Sequence, residues 1–290
     1  MKKVLVLGGT RFFGKRLVQL LVKQNYDVTI LTRGQTADEF GDNVRRLVLD
    51  RNDLHALEQA LKDQFFDIIF DQICYTPEMA AQSIHAFKGR TNRLIFTSSK
   101  SVYQPQSYAL PETDFDPSGY PILTKQTDLS YAEGKRLAEA VFAQQTDIPV
   151  VSVRLPVVLG PDDYTERLSF HIEHIAAGTP FSAPNLDSKM CFIHAQEAAD
   201  FLLWCGEASF TGPINACASG HIPIGDFFKL IAQTLKKPVH VIDPAESVPA
   251  SPYAPPTSWY MDKTLASKHG YAFSQLMDWL PDLIRQETNT

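Results

Sequence analysis

The feature that most limits how this chain can fold is an abrupt change of pattern near its N-terminus. An apolar run at residues 4–7 ends at Gly8 and Gly9, and a helical pattern with Phe13, Leu17 and Leu21 on one face follows. A buried strand, a glycine turn and a helix start are typical of a mononucleotide-binding βα unit. The N–H groups and partial positive charge of the helix N-terminus suit a pyrophosphate.

Two glycines have distinct expected roles in this turn. We expect Gly8 to form the turn itself and Gly14 to let helix and strand pack closely. The spacing differs from the G-x-G-x-x-G form, and glycine turns also follow the first strand in α/β folds that bind no ligand. The candidate cofactor-binding residues of the turn are Gly8, Gly9, Thr10, Arg11, Phe12, Phe13 and Gly14.

Composition and net charge narrow the classes of protein to which this chain can belong. The 290 residues carry a formal net charge of −6 without a basic block, which gives no support for nucleic-acid or membrane binding. No apolar run of 18 residues occurs, and the N-terminus leads directly into the first strand without a signal-peptide pattern. The four cysteines form no C-x-x-C pair. We therefore expect a cytoplasmic protein with reduced cysteines in its core.

Strand and helix patterns alternate through the first half. Further strands are predicted at residues 27–31, 46–49, 67–70 and 93–97, and helices after Asp53, Thr76 and Ser130 as N-caps, with Asn52 as the other choice for the first cap. Alternating βα units predict a parallel sheet with helices on both faces. Ligands of such sheets bind at the carboxyl ends of the strands, where Gly8, Arg33, Asp50 and Ser99 fall.

The end of the second strand bears on the choice of dinucleotide. An acid there would bind the 2′-hydroxyl of NAD, whereas an arginine suits the 2′-phosphate of NADP. Arg33 is present, no acid is, and Arg11 offers a second cation. These residues favour NADP over NAD, with a solvated loop arginine as the alternative for Arg33.

A pair of residues on one helix carries the predicted chemistry. Tyr131 and Lys135 are four residues apart, so they project from one face. A phenol has a pKa near ~10, and a neighbouring ammonium favours the phenolate, as general acid–base catalysis requires. Ser99 could hydrogen-bond the reacting oxygen. A Y-x-x-x-K spacing also arises by chance in a chain with ten tyrosines, so its position after the fifth strand gives it weight.

With these residues placed, the chain resembles an extended short-chain dehydrogenase/reductase of the NAD-dependent epimerase/dehydratase family over nearly its whole length. FTSSKSVY (residues 96–103) is similar to the family's strand-five segment, and the resemblance implies catalytic roles for Ser99, Tyr131 and Lys135. It further implies that Lys135 binds the nicotinamide ribose. Residues 153–156 followed by 159–161 resemble the segment that passes the nicotinamide. The remaining candidate cofactor contacts are Asp50, Arg51, Leu155 and Pro156.

The resemblance implies a Rossmann-type doubly wound parallel sheet with a smaller C-terminal substrate domain. We place the dinucleotide-binding domain at residues 1–155 plus about 189–218, and a discontinuous substrate domain at about 156–188 plus 219–290. Phe192-Ile193-His194 is similar to the segment where the family's chain returns to the core domain, with Glu197 replacing the usual aspartate. We expect the loop at 104–129 to lie over the active site.

Two departures from the family pattern keep a second hypothesis open. Arg11 replaces the middle glycine of the usual turn, and the usual acid after strand two is absent. The form GGTRFFG is similar to an atypical branch that includes plant chloroplast proteins described as stem-loop RNA-binding. We expect an NAD(P)-dependent oxidoreductase, epimerase or dehydratase. The alternative is a non-catalytic nucleotide-sensing or RNA-binding protein on the same fold.

Other residues receive structural interpretations. His171 and His174 are interpreted as solvated residues of a surface helix and not as metal ligands. His194 is expected to be a packed histidine. The C-terminal helix at 275–285 is expected to break at Pro281. We predict no metal and a small-molecule substrate, with no membrane partner and no nucleic acid in the main hypothesis, and a homodimer as the open candidate for oligomeric state.

Overall fold

The computed structural model describes residues 1–122, 128–244, 247–253 and 255–288. Its strands are β1 Lys3–Leu7, β2 Asp27–Thr32, β3 Val44–Val48, β4 Ile68–Asp71, β5 Leu94–Ser99, β6 Val150–Leu155, β7 Val157–Leu159, β8 Phe181–Ser182, β9 Lys189–Met190, β10 Phe192–His194, β11 Gly212–Asn215, β12 Ile222–Pro223 and β13 Val241–Ile242. Its helices are α1 Phe12–Lys23, α2 Leu54–Ala60, α3 Pro77–Phe87, α4 Tyr131–Ala143, α5 Arg167–Ala177, α6 Ala195–Glu207, α7 Ile224–Leu235, α8 Thr264–Lys268 and α9 Leu276–Glu287.

The chain divides into two compact units, and the first contains residues 1–103, 112–155 and 196–216. Within the described residues its centre is a seven-stranded parallel sheet in the order β11-β6-β5-β4-β1-β2-β3. The strand order reverses between β1 and β4, which are directly paired. This strand order confirms the predicted parallel α/β fold. In doubly wound sheets ligands bind at the switch point, so the predicted binding edge lies at the carboxyl ends of β1 and β4.

Helices cover both faces of this sheet because its central strands are apolar on both sides. Leu5 and Ile69 belong to a buried cluster with side chains of α2, α3 and α4. On the other face, Val6 approaches α1, and Gly206 of α6 brings its helix against Phe70. Such two-sided burial is expected for a parallel sheet, whose helical crossovers shield it from water.

The helix caps follow the sequence prediction closely. The side chains of Asp53, Thr76 and Ser130 accept hydrogen bonds from the backbone N–H groups of Ala56, Met79 and Glu133, respectively. Asp53, not Asn52, is therefore the cap of α2. Each cap satisfies one of the N–H groups that the first helical turn leaves without a partner.

The second unit contains residues 104–111, 156–195 and 217–290. Its described strands form two-stranded pairs, β7 with β10, β9 with β12 and β8 with β13. Its core is aromatic, and Phe192 and Phe227 stack in it with their ring centres 5.4 Å apart. Residues 189–195, which we expected in the sheet domain, lie in this second unit because their strands pair with β7 and β12 and not with the large sheet.

The interpretation of His171 as a solvated residue was wrong. Its side chain is fully buried, and its Nε2 lies 2.7 Å from the hydroxyl of Ser251, while its ring stacks on Tyr253. Burial lowers the pKa of His171 to about 3, so the imidazole is neutral. His171 can lie in the aromatic core because each ring nitrogen has a hydrogen-bond partner. Nδ1 pairs with the carbonyl oxygen of Arg167, and Nε2 pairs with the hydroxyl of Ser251.

The C-terminal helix also differs from the prediction. Pro281 lies inside α9 and does not break it. A proline removes one backbone hydrogen bond, here to Met277, but Leu280, Leu283 and Ile284 are buried and hold the helix in place.

Three other expectations concern the cysteines, the loop at 104–129 and membrane-spanning helices. All four cysteines are buried. Part of the loop at 104–129, namely residues 123–127, lies outside the described residues. No helix in the described part of the chain is long and apolar enough to cross a membrane.

Candidate functional site

The glycine turn lies at the switch point of the sheet and leaves no room for a side chain at Gly8, Gly9 or Gly14. Gly8 and Gly9 have φ angles of +90° and +100°, which side-chain-bearing residues rarely adopt. A Cβ on Gly14 would lie 2.6 Å from Oε1 of Gln72 and 3.1 Å from Cα of Gly9. The turn therefore packs β1, α1 and the end of β4 together at backbone distance.

Arg11 occupies its position without strain. Its φ of −133° and ψ of 151° are extended, so the place where the family uses a glycine does not need one here. Arg11 is the N-cap residue of α1, and its side chain forms no capping hydrogen bond. The next residue, the buried Phe12, has a left-handed backbone conformation with φ of 48°.

The turn fits the diphosphate of a dinucleotide. The side chain of Arg11 does not cap the first turn of α1, and helix N-termini bind anions through their backbone N–H groups and partial positive charge. Gln72 adds a donor, since its Nε2 is buried beside the turn without a hydrogen-bond partner in the described part of the chain. Buried polar groups left in this way are rare in proteins, so a ligand oxygen is a suitable partner.

The segment after β2 holds the predicted selectivity residues. Arg33 is exposed, and Arg11 reaches into the same segment, where its Nε donates to the hydroxyl of Thr36 at 3.2 Å. Two carboxylates of this segment are engaged by basic side chains: Asp38 pairs with Arg46, and Glu39 pairs with Lys15.

Asp50 and Arg51 follow β3 and differ in their surroundings. Asp50 is exposed and accepts a hydrogen bond from the N–H of Asn52. Arg51 is buried, and its guanidinium donates to the fully buried carboxylate of Asp71 at 2.6 Å and to Ser83 at 2.7 Å. The structure thus places Arg51 in an ion pair that ties the end of β3 to β4 and α3.

Tyr131 and Lys135 lie in the first two turns of α4, as predicted, but Tyr131 is exposed and Lys135 is buried. The side chain of Tyr131 is 55% exposed, whereas Lys135 is 1% exposed. The Nζ of Lys135 lies 5.9 Å from the centre of the Tyr131 ring. A buried cation therefore sits beside an accessible phenol at the carboxyl ends of β4 and β5.

The amine of Lys135 is held by backbone carbonyl groups. Its Nζ donates to the carbonyl oxygens of Cys74 at 2.7 Å and Thr97 at 2.8 Å. Burial lowers the pKa of Lys135 to about 8. Burial also raises the pKa of the Cys74 thiol to about 12, so this thiol stays neutral, as expected for a reduced cysteine of the core.

Ser99 is the last residue of β5, two residues beyond the carbonyl that binds Lys135. Its hydroxyl accepts a hydrogen bond from the N–H of Ser101 and donates to the Ser101 hydroxyl, both at 3.1 Å. The last two predicted contacts, Leu155 and Pro156, lie at and just after the end of β6. Leu155 pairs with Ser99 in the sheet.

Behind the site lies a buried polar network that sequence reasoning missed. The fully buried Glu139 accepts from Nε of Arg154 at 2.9 Å and from the hydroxyl of Ser98 at 2.7 Å. Arg154 also donates to the hydroxyl of Tyr103, which donates in turn to Asn215. This network joins α4 to β5, β6 and β11. Its one signal in the sequence is that Glu139 continues the i, i+4 series of Tyr131 and Lys135.

Residues 4–217 match the family model described as the NAD dependent epimerase/dehydratase family. A curated relative, the chloroplast stem-loop binding protein of 41 kDa b from Arabidopsis thaliana, is 28% identical over 197 residues, 63% of this chain and 49% of that protein. The chain therefore spans about half the length of this relative.

Solved epimerase structures share the fold. The UDP-glucuronic acid 4-epimerase of Bacillus cereus, solved with UDP-glucuronic acid and NAD, aligns with a TM-score of 0.77 at 19% identity, covering 99% of this chain and 98% of that one. The UDP-N-acetylglucosamine 4-epimerase of Methanobrevibacter ruminantium aligns with a TM-score of 0.73 at 20% identity, covering 99% and 97%. With the family model spanning the sheet, the glycine turn and α4, this chain belongs to the NAD-dependent epimerase/dehydratase family.

Proposed function

We propose that the chain is an NAD(P)-dependent enzyme that removes or adds hydride at a carbinol or carbonyl carbon of a small-molecule substrate. The observation that carries the proposal is the exposed phenol of Tyr131 one helical turn from the buried amine of Lys135. This pair lies at the same sheet edge as the glycine turn that fits a dinucleotide.

Tyr131 would act as the acid–base group. In the oxidative direction its phenolate takes the proton of the substrate hydroxyl as the carbon loses hydride, and in the reductive direction the phenol returns that proton to the oxygen. The positive charge of Lys135 favours the phenolate, and burial strengthens that effect because water does not screen the charge.

The bound dinucleotide would supply the hydride acceptor or donor. Residues 8–14 and Gln72 would hold its diphosphate, and Ser99 would orient the substrate oxygen through its hydroxyl. Lys135 holds the ends of β4 and β5 together through its two carbonyl contacts, so it also positions Ser99 relative to Tyr131.

The preferred cofactor would be NADP. Arg33 is exposed after β2 and Arg11 reaches the same segment, which supplies cations for a 2′-phosphate. Asp38 and Glu39 are both engaged by basic side chains, which argues against a carboxylate acceptor for the ribose 2′-hydroxyl of NAD.

A fluorescence titration of the full chain with NADPH and NADH tests both parts of this proposal. We expect saturable binding of both, with NADPH tighter, and Arg33→Ser should reduce that preference while leaving NADH affinity unchanged. Lys62→Ser is the matched control for loss of one exposed cation. Binding of neither nucleotide to folded protein would contradict the proposed function.

The substrate class we favour is a sugar nucleotide, since the two epimerases described above act on UDP-sugars by their names. Incubation with a set of UDP-sugars and simple ketones, followed by chromatography and by NAD(P)H absorbance, separates epimerisation, dehydration and reduction. Epimerisation changes the sugar without net consumption of cofactor, whereas reduction consumes it.

A second candidate function is RNA binding without catalysis, which the name of the Arabidopsis relative favours. The net charge of −6 and the presence of Ser99, Tyr131 and Lys135 argue against it. Binding of a labelled RNA hairpin, measured at low and high salt, distinguishes the two functions. Salt-dependent RNA binding together with no turnover of any tested substrate would favour this candidate.

A further inference from the structure

Tyr75 lies beside Tyr131 and Lys135 in the candidate site, although it belongs neither to the glycine turn nor to the tyrosine–lysine motif. It lies between the end of β4 and the start of α3, and its side chain is 42% exposed. Helix α4 approaches it at backbone distance, because a Cβ on Gly134 would collide with the carbonyl oxygen of Tyr75. The ring of Tyr75 is 6.3 Å from that of Tyr131.

The amine of Lys135 lies close to two aromatic rings, those of Tyr75 and Phe96. Its Nζ lies 4.7 Å from the centre of the Tyr75 ring and 4.8 Å from that of Phe96. Two of its three N–H groups are used by the carbonyl oxygens of Cys74 and Thr97. Phe96 is fully buried, so the partly exposed Tyr75 is the ring on the solvent side.

We infer that Tyr75 is a positioning residue, whose ring covers the Nζ of Lys135 on its solvent side and keeps this amine buried beside Tyr131. The ring face attracts the cation and at the same time excludes water from it. Tyr75 thereby sets how strongly Lys135 acts on Tyr131. The effect on Tyr131 rests on the proposed function, whereas the covering of Lys135 does not.

The acidic groups around Lys135 are paired with other residues or neutral, so they do not take over the role of the Tyr75 ring. Asp71 is paired with Arg51, and Glu139 is paired with Arg154. The Cys74 thiol is neutral because burial raises its pKa to about 12. Burial is the largest cause of the lowered pKa of Lys135, so admitting water should raise it from about 8 towards the ordinary value near ~10.4.

Competitive acetylation with acetic anhydride between pH 7 and pH 10, read by mass spectrometry of lysine peptides, measures this directly. Wild-type protein, Tyr75→Phe and Tyr75→Ala are compared as full chains. We expect Lys135 to label with a midpoint near pH 8 in wild-type protein and in Tyr75→Phe, which keeps the ring. In Tyr75→Ala, labelling should still be rising at pH 10.

Lys100 is the internal control for folding, since it is also buried, at 3% exposure. An altered midpoint for Lys135 with unaltered labelling of Lys100 supports the inference. A midpoint near pH 8 in Tyr75→Ala, or an equal displacement in Tyr75→Phe, overturns it. If alanine also exposes Lys100, Tyr75→Val replaces it under the same criteria.

Titration of the same variants with NADPH and NADH separates this inference from the proposed function. Failure of wild-type protein to bind either nucleotide contradicts the proposed function and leaves the labelling result unchanged. For an enzyme that turns over, the descending limb of the pH–rate profile should move to higher pH in Tyr75→Ala and return in Tyr75→Phe, as a positioning role requires.

Discussion

Glu139 and Arg154 form a fully buried ion pair in which Nε and Nη2 of the arginine donate to the same carboxylate oxygen at 2.9 and 2.5 Å. The second oxygen of Glu139 accepts from Ser98, the residue before Ser99. The pair therefore connects the helix that carries Tyr131 to the strand that carries Ser99.

Loss of the Glu139 carboxylate should destabilise the protein strongly. In Glu139→Ala the guanidinium of Arg154 remains buried without its counter-charge, which typically costs about 3–5 kcal/mol. Urea unfolding followed by circular dichroism measures this. Asp226→Asn is the control, because it breaks the exposed pair with Lys229 and should cost less than about 1 kcal/mol. Equal effects in the two variants would contradict the assigned role of the buried pair.

The Tyr131→Phe variant should lose turnover and keep its affinity for cofactor. It removes the hydroxyl that exchanges the proton but keeps the ring beside Tyr75. The readouts are turnover with the substrate set and the NADPH titration. Tyr26→Phe serves as the control for loss of a tyrosine hydroxyl. Tyr26 immediately precedes β2, at the opposite end of this strand from Arg33, and its hydroxyl donates to Glu207. Equal loss of turnover and affinity in Tyr131→Phe would argue against the acid–base role.

An added methyl group at Gly14 should weaken cofactor binding by more than about tenfold, because it displaces the first turn of α1 from the diphosphate position. The Cβ would lie 2.6 Å from Oε1 of Gln72. Gly14→Ala should also lower the free energy of unfolding. The double variant Gly14→Ala/Gln72→Ala should recover part of this loss in urea unfolding, since it removes the colliding amide. Gly119→Ala is the control, because among the described residues its Cβ would meet only Asp116, at 3.5 Å. Wild-type NADPH affinity in Gly14→Ala would show that the turn does not hold the cofactor.

The buried amine of Lys135 predicts a pH effect on stability with a definite sign. The folded-state pKa of about 8 lies below the unfolded value near ~10.4, so the unfolded chain binds more protons between these two values. Stability contributed by this group therefore rises as pH increases from about 8 to about 10. Compared with Lys135→Met in urea at each pH, wild-type protein should gain relative stability over this range. A constant difference between the two proteins would mean that Lys135 is not held in a buried, desolvated position.

Much of the fold followed from local patterns. The apolar strands, the caps Asp53, Thr76 and Ser130, and the glycine turn are each specified within a few residues, so they could be read along the chain. The helix-face spacing of Tyr131 and Lys135 was equally local. Their opposite exposures were not, because burial of Lys135 depends on Tyr75 and Phe96 from other parts of the chain.

The errors have the same physical origin. His171 is buried because Ser251 and the aromatic core, distant in sequence, surround it, and Pro281 is tolerated because the buried face of α9 outweighs one lost hydrogen bond. Residues 189–195 pair outside the large sheet because of strand partners that no local pattern reveals.

The sequence by itself determined the parallel α/β fold, the position of the glycine turn and the identity of the tyrosine–lysine pair, because periodicity, capping and turn chemistry are properties of neighbouring residues. Only the tertiary structure decided which charges are buried and which partners they have. Arg51 pairs with Asp71, Arg154 with Glu139, and Lys135 with two backbone carbonyl groups. The burial of a charge and the partner that balances it depend on residues far apart in the chain, so no local sequence pattern reveals them.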